Sequence, residues 1–155
     1  MTSSRRAPFF RDLTPKECDT MLARHSVGRL AYTFHDRVDI EPIAYVYTKR
    51  ALVFRTAPGS KLETLAHHPW VALEIDQVKG LFDWRSVVVH GTVYILQGAG
   101  TDPERRAYRS AVRLLRRLVP GTLGKRDPVP FRSVVMKLHV DRMSGRLARS
   151  GGQGT

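Results

Sequence analysis

The segment FRTAPGSKLETL, residues 54–65, gathers basic and hydroxyl side chains around a Pro-Gly turn. Two of them precede the turn, and two follow it where a helix is predicted to begin: Arg55, Thr56, Ser60 and Lys61. The first turn of a helix attracts anions through its unpaired N–H groups and the positive end of its dipole. Two cations, two hydroxyl groups and free amides are the donors that a phosphate requires. The segment is therefore compatible with an ordinary capped turn or with a phosphate-binding turn, and the residues alone leave both interpretations open.

Other residues with chemical potential form weaker patterns. His67 and His68 are adjacent, so at a helix end they point in different directions, and no third ligand lies near them in the sequence. We therefore expect no metal site. The chain has no GxxxxGK phosphate loop, and Ser86 lacks the glycine-flanked turn of a hydrolase nucleophile. No acid–base pair stands out, so no catalytic side chain is predicted.

Positive charge is concentrated in the last third of the chain. The formal net charge is +12, and residues 101–155 carry 13 Lys and Arg against 4 Asp and Glu. Such a balance suits nucleic acid, a membrane surface or a phosphorylated small molecule. Six arginines lie opposite the leucines of a predicted helix over residues 101–119: Arg105, Arg106, Arg109, Arg113, Arg116 and Arg117. A solvated face, an anionic cofactor tail and an acidic partner remain open; nucleic acid is disfavoured because few aromatic or amide side chains could read bases.

Length and composition indicate one globular domain. A chain of 155 residues with 42% hydrophobic residues can bury an ordinary core. No apolar run approaches the roughly 20 residues of a membrane helix, and the basic N-terminus lacks the apolar core of a secretory signal. Cys18 is the only cysteine, so no internal disulfide can form. We therefore expect a cytoplasmic protein without a membrane partner.

Short β-branched and aromatic runs, linked mostly as hairpins, predict six strands: 27–34, 40–47, 51–56, 70–76, 84–96 and 133–140. Capping residues and helical spacing predict helices over 14–24, 60–68 and 101–119. For the first of them, Thr14 and Glu17 predict a capping box. Ser60 is the expected cap of the second helix, Gly91 predicts a bulge or bend, and Pro42 predicts an edge, a bulge or a strand start. Because parallel βαβ repetition is absent, we predict a mainly β (α+β) fold: a small antiparallel barrel with peripheral helices.

The predicted domain spans residues 13–146. Residues 1–12 are predicted to form a flexible N-terminal arm. Residues 147–155 are polar and rich in glycine, so a disordered tail is predicted there.

The order of these segments resembles the FMN-binding split-barrel family, also called pyridoxamine 5′-phosphate oxidase-like, and within it the nitroimidazole-reductase-type branch. The resemblance covers about residues 10–98 and is carried by VGRLAYTF, EPIAYVY, LVFRTAPGSKLETL, PWVALEID and DWRSVVVHGTV. A weaker similarity lies in DRMSGR, residues 141–146. The composite FRTxxGSK is its most specific part.

The resemblance implies a six-stranded antiparallel split barrel that forms a homodimer, with two flavins in clefts between the subunits. It implies that the FMN phosphate and ribityl chain are held by Arg55, Thr56, Ser60 and Lys61. It implies that one backbone segment runs beneath the isoalloxazine ring: Pro42, Ile43, Ala44 and Tyr45. The segment that would reach the flavin of the partner subunit is Trp84, Arg85 and Ser86, in which an arginine interrupts the family's W-S-V pattern.

The implied function is an FMN-dependent oxidoreductase that oxidises or reduces a small organic substrate by hydride transfer at flavin N5, with NAD(P)H as a candidate electron donor. In such enzymes the cofactor supplies the chemistry, which agrees with the lack of a catalytic triad. A deazaflavin is an alternative cofactor, because the arginines would suit its longer acidic tail. Haem is another, with four histidines available: His67, His68, His90 and His139. A flavin-binding protein without a dedicated reaction is the third alternative.

Overall fold

The computed structural model describes residues 6–151 of the chain. Its elements follow in the order β1 (Phe9–Asp12), α1 (Pro15–Arg24), β2 (Val27–Phe34), β3 (Arg37–Thr48), β4 (Ala51–Thr56), α2 (Ser60–His67), β5 (Trp70–Gly80), β6 (Asp83–Leu96), α3 (Asp102–Leu118) and β7 (Val134–Arg149). The strands pair antiparallel. Among the helices so described, none is long and apolar enough to cross a membrane.

The sheet closes on itself into a six-stranded barrel. Strands pair in the order β7–β4–β3–β2–β5–β6, and β6 pairs again with β7 to complete the ring. β1 is a seventh strand, which lies along the C-terminal half of β7. The predicted mainly β barrel with peripheral helices is confirmed. Closure pairs most of the strand edges, so few backbone groups of the barrel are left without partners.

Both ends of the domain extend beyond the predicted limits. Residues 9–12 pair with residues 146–149, the end of β7. The prediction of a flexible arm to residue 12 and a disordered tail from residue 147 was therefore wrong for residues 9–12 and 147–149. Each of the two segments supplies the backbone hydrogen-bond partners that the other needs, which short-range composition does not reveal. The rest of the predicted arm and tail includes residues 1–5 and 152–155, which lie outside the described residues.

The interior of the barrel is apolar but contains a buried tyrosine hydroxyl. Tyr45 and Phe54 are among the largest fully buried side chains. The Tyr45 hydroxyl donates a 2.8 Å hydrogen bond to the backbone carbonyl of Leu22 in α1. This bond ties α1 to the barrel wall, and burial raises the pKa of the Tyr45 hydroxyl above its usual range.

Helix α3 covers the outer side of β4 and β7. Its Ala111, Val112 and Leu115 pack against Val53 and Val135 in a second apolar cluster. The arginines on the opposite face remain exposed to solvent: Arg105, Arg106, Arg109, Arg113, Arg116 and Arg117. The amphipathic division predicted for this helix is therefore confirmed, with the basic side turned away from the barrel.

Helix α1 has its predicted cap, whereas α2 does not. The Thr14 hydroxyl accepts the Glu17 N–H at 3.2 Å, and the Glu17 carboxylate accepts the Thr14 N–H at 2.8 Å. In α2 the capping residue is Gly59, and Ser60 is already the first helical residue, so the prediction of Ser60 as cap was wrong. Gly59 has φ of 156°, a conformation that favours glycine, and it turns the chain into the helix one residue early.

Gly91 marks the irregularity that the sequence predicted in β6. The register of β6 against β7 shifts between His90 and Gly91. A Cβ atom at Gly91 would lie 2.1 Å from the carbonyl oxygen of His139. The two strands can approach this closely only because residue 91 has no side chain.

Candidate functional site

A cleft of about 520 Å³ opens where β3 and β4 separate. β3 pairs with β4 only over Tyr45–Thr48, so residues 41–44 have β2 on one side and no strand on the other. Pro42 lies on this free edge, which explains how a residue without an N–H is tolerated within a strand. The barrel is thus split at the cleft, between the free edge of β3 and the beginning of α2.

The walls of the cleft come from three parts of the chain. Its lining residues are Glu41, Pro42, Ile43, Arg55, Thr56, Ala57, Pro58, Gly59, Ser60, Lys61, Phe131 and Arg132. The structure therefore brings six of the predicted site residues into one cleft. Ala44 and Tyr45 continue β3, but the Tyr45 side chain is fully buried in the barrel and its N–H donates to the Ser26 carbonyl at 2.9 Å, so neither group is available to a ligand.

The first turn of α2 presents free donors to this cleft. The N–H groups of Leu62 and Glu63 donate to the Gly59 carbonyl at 3.1 and 3.4 Å. Those of Ser60 and Lys61 donate to no acceptor within residues 6–151. Because Ser60 does not cap the helix, its hydroxyl is available as well. This end of α2 has the donors and the dipole that an anion such as phosphate requires.

Arg55 is already engaged by an acidic residue. Its Nη1 and Nη2 donate to the two carboxylate oxygens of Asp127 at 2.5 and 2.9 Å, and the two side chains are only 8% and 1% exposed. Successive side chains of a strand point to opposite faces, so Arg55 and Thr56 leave β4 in opposite directions, although both line the cleft. Asp127 was missed because it lies 72 positions further along the chain.

Asp127 organises the segment between α3 and β7. Besides the Arg55 guanidinium, its carboxylate accepts the backbone N–H groups of Leu123 at 2.8 Å and Val129 at 3.0 Å. The hydrogen bonds from Arg55, and then those from the two N–H groups, hold the pKa of Asp127 well below its usual range. The carboxylate is therefore ionised at neutral pH, and it fixes the segment that ends in Phe131 and Arg132 against the barrel.

Lys61 and Arg132 carry the remaining positive charge of the cleft. Lys61 forms an ion pair with Glu41 and lies 5.2 Å from the centre of the Tyr32 ring. Burial, and then the nearby Arg132, lower the pKa of Lys61. Arg132 itself forms no ion pair with any residue between 6 and 151. The cleft thus has three positive charges, on Arg55, Lys61 and Arg132. Two carboxylates, Asp127 and Glu41, neutralise two of these charges, which leaves one positive charge uncompensated.

Trp84 and Ser86 lie on the outer face of the barrel, away from the cleft. The register places Pro42 beside Arg29, Arg29 beside Glu74 and Glu74 beside Val88, so β6 is three strands from β3. At the usual strand spacing, roughly 14 Å separate Pro42 of β3 from Val88 of β6. A single subunit therefore does not bring Trp84 to its own cleft, and the predicted contact would require a second subunit.

Arg85 points to the opposite side of β6 from its two neighbours. It lines a separate cavity of about 260 Å³ between α1 and the ends of β5 and β6, together with Met21 and Gln77. The predicted segment Trp84, Arg85 and Ser86 is therefore divided between two faces of one strand.

A pair of carboxylates lies on the outer face of β5. The Nη1 atom of Arg29 is 3.6 Å from both Glu74 Oε2 and Asp76 Oδ1. Burial, and then the neighbouring Asp76 carboxylate, raise the pKa of Glu74 to about 7, although Arg29 opposes this. Glu74 therefore gains or loses its proton near neutral pH.

We expect this carboxylate to make stability depend on pH. Because the folded chain holds the Glu74 proton more tightly than the unfolded chain does, the free energy of unfolding should fall as the pH rises from about 4.5 through 7. Glu74→Gln should raise stability by roughly 1 kcal/mol near pH 8, after allowance for solvent screening, and should give no gain near pH 4.5. Urea denaturation at both pH values measures this. Glu63→Gln, an exposed change in α2, is the control, and an equal gain at both pH values would contradict the assignment.

The chain is similar to known proteins over almost its whole length. The sequence model of the pyridoxamine 5′-phosphate oxidase family matches residues 14–147. An uncharacterized protein from Rhizobium meliloti (strain 1021) is 30% identical over 151 residues, which cover 92% of this chain and 98% of that protein.

Solved structures of other proteins have a similar fold. A FAD-binding protein from Mesorhizobium loti is 25% identical with a TM-score of 0.72, over 92% of this chain and 99% of that one. A FAD and heme binding protein from Mycobacterium smegmatis is 18% identical with a TM-score of 0.65, over 93% of this chain and 76% of that one. At the lower identity the similarity extends to the fold alone. The predicted split-barrel architecture is confirmed.

Proposed function

The chain belongs to the flavin-binding, pyridoxamine 5′-phosphate oxidase-like split-barrel family, and on this premise we propose that its cleft binds a phosphorylated flavin. The observation that carries the proposal is the free first turn of α2, which lies in a cleft of about 520 Å³. A phosphate fits this turn because the Ser60 and Lys61 N–H groups and the Ser60 hydroxyl are available as donors. The Lys61 ammonium adds a charge-assisted hydrogen bond.

The free edge of β3 suits the flat ring of a flavin. Residues 41–44 have no strand on the side of the cleft, so the backbone groups that point to that side, those of Pro42 and Ala44, are available to the polar edge of a ring. Pro42 and Ala44 are exposed, whereas Ile43 and Tyr45 point into the barrel. The ring would therefore rest on two small side chains whose strand is supported from beneath by the apolar core.

We propose a flavin-dependent oxidoreductase that acts on a small organic substrate, with NAD(P)H as the electron donor. When bound, the flavin supplies hydride transfer at N5. The protein residues bind and orient it: the α2 turn holds the phosphate, Thr56 lies beside that turn, and the β3 edge orients the ring. No side chain of the cleft is assigned as a general acid or base.

We further propose that the chain functions as a homodimer joined through the outer face of β3, β2 and β5. Five apolar side chains on these strands are more than half exposed: Val27, Val38, Ile40, Trp70 and Val78. Val38 and Trp70 line one shallow cavity on this face, and an exposed apolar patch of this kind is commonly covered by a partner. A second copy of the chain on this face would bring Trp84 and Ser86, which lie on the same side of the barrel, toward the cleft of the other subunit.

Flavin titration tests the proposed function. The purified chain is expected to bind FMN or FAD and to quench the fluorescence of the flavin. Lys61→Ala should weaken FMN binding by roughly 1.5–3 kcal/mol, about 10- to 100-fold, because it removes a charge-assisted hydrogen bond. Lys79→Ala is the matched control, since Lys79 is exposed at the end of β5 and does not line the cleft. Equal affinities of the two variants would contradict the phosphate site.

Other outcomes of the same titration identify the alternatives. Binding of a deazaflavin but not of FMN would retain the fold and change the class of enzyme. A Soret absorbance band after addition of haem would favour a haem protein. Binding of none of these cofactors would refute the proposal. NAD(P)H oxidation by the loaded protein, measured with a panel of small acceptors, then distinguishes an oxidoreductase from a protein that only binds flavin.

A further inference from the structure

We propose that Arg132 is the arginine that contacts the cofactor phosphate, and that Arg55 is a positioning residue that holds Arg132 in place through Asp127. The inference rests on the proposed function and changes the role that the resemblance implies for Arg55. It adds to the site a residue from the segment between α3 and β7, which is outside the part of the sequence that carries the resemblance.

The first reason is that the charge of the Arg55 guanidinium is already neutralised by Asp127. Both of its terminal nitrogens donate to Asp127, in a geometry that uses the two oxygens of the carboxylate. The two side chains are almost fully buried, at 8% and 1% exposure. If a phosphate took the guanidinium from Asp127, it would leave a buried carboxylate without its counter-charge, which is strongly unfavourable. We therefore expect the ion pair to persist when a cofactor binds.

The second reason is that no carboxylate between residues 6 and 151 neutralises the charge of Arg132. Its side chain is exposed, lines the cleft and has no acidic partner between residues 6 and 151. It is close enough to Lys61 to lower the pKa of that ammonium. Lys61 and Arg132 repel each other at the N-terminal end of α2, and a phosphate dianion between them would stabilise both cations.

The third reason is that hydrogen bonds hold the backbone of Arg132, whereas its side chain forms none with residues 6–151. The Arg132 carbonyl accepts a hydrogen bond from Arg55 Nη1 at 3.5 Å, and the Arg132 N–H donates to the Val129 carbonyl at 3.0 Å. The N–H of Val129 donates in turn to Asp127. β4 thus positions Arg132 through a continuous set of contacts that begins at the Arg55 guanidinium.

FMN and riboflavin separate a phosphate contact from a ring contact, because riboflavin lacks the phosphate. Arg132→Gln is expected to weaken FMN binding about 10- to 100-fold and to leave riboflavin affinity within about twofold. Arg126→Gln is the matched control, because Arg126 is an exposed arginine of the same segment that does not line the cleft. It should leave both affinities unchanged. Arg132 is exposed, so its replacement should not impair folding.

Asp127→Asn distinguishes the two roles of Arg55 by the direction of its effect. If Arg55 were the phosphate ligand, removal of its competing carboxylate would tighten FMN binding. If Arg55 positions Arg132, Asp127→Asn should weaken FMN binding, and it should have no further effect when Arg132 is already glutamine. Asp127→Glu, which keeps the carboxylate, should restore part of the FMN affinity.

The failure of this inference differs from the failure of the proposed function. A wild-type chain that binds neither FMN nor riboflavin would overturn both. A wild-type chain that prefers FMN, together with an Arg132→Gln variant that keeps the same preference, would overturn the inference alone. So would tighter FMN binding in Asp127→Asn. Selective loss of FMN affinity in Arg132→Gln, with loss of affinity in Asp127→Asn, would support it.

Discussion

Asp127→Ala is expected to lower the midpoint of thermal unfolding by about 10 °C, without any cofactor present. The change leaves the Arg55 guanidinium, whose side chain is 8% exposed, without its counter-charge. It also removes the acceptor of the Leu123 and Val129 N–H groups. Circular dichroism or calorimetry at neutral pH measures the effect. Asp141→Ala is the control, because that carboxylate is 51% exposed and lies outside the cleft.

The ion pair of Arg55 and Asp127 also determines how the stability of the fold depends on acidic pH. Because the pKa of Asp127 is lowered in the folded chain, its contribution is present above the ordinary carboxyl pKa of 3.8 and is lost as the pH falls below it. The difference between wild type and Asp127→Ala should therefore shrink as the solution is acidified from neutral pH through this value. A constant difference would indicate that lost packing, rather than the charge of Asp127, accounts for the change.

An apolar replacement of both partners separates stability from ligand binding. Arg55→Met combined with Asp127→Leu should recover the part of the stability that is lost through the unpaired Arg55 guanidinium, because apolar groups can replace a buried ion pair with little cost. It should not recover the part lost through the Leu123 and Val129 N–H groups. The double variant should nevertheless bind FMN less tightly than wild type, since Arg132 is no longer held by Arg55. Unchanged unfolding temperatures in Asp127→Ala would instead mean that the pair contributes little and that Arg55 is free to bind a ligand.

Gly91→Ala is expected to destabilise the barrel by about 3 kcal/mol, at the upper end of the usual cost of overpacking. The new methyl group would lie 2.1 Å from the His139 carbonyl oxygen and 2.8 Å from a methyl carbon of Leu138. A backbone carbonyl within paired strands cannot move aside without disturbing the pairing of β6 with β7. This seam closes the barrel, so local relief would have to shift several neighbouring pairs.

Gly80→Ala provides the matched comparison for this prediction. The nearest atom to a Cβ at Gly80 is 4.0 Å away, so its replacement should change stability by no more than about 0.5 kcal/mol. Urea denaturation of both variants measures the contrast. Similar midpoints for Gly80→Ala and Gly91→Ala would mean that β6 and β7 relax at the bulge more easily than the structure indicates.

Short-range patterns predicted most of the elements correctly. The capping box of Thr14 and Glu17, the bulge at Gly91 and the amphipathic α3 depend on residues within a few positions of one another. Ser60 and Lys61 were placed correctly at the start of α2 for the same reason, because a turn and the first residues of a helix are local structures. The prediction failed at Ser60 as a cap, where Gly59 adopts the required backbone conformation instead.

The amino-acid sequence by itself therefore determined most of the elements, the mainly β class and the position of the turn that opens α2, because these follow from local propensity and spacing. Only the tertiary structure decided which charges meet. Barrel closure and strand register place Asp127 beside Arg55 and bring Arg132 into the cleft that Arg55 and Thr56 line. Such contacts depend on how distant strands and segments pack together, and no pattern within a few neighbouring residues encodes them.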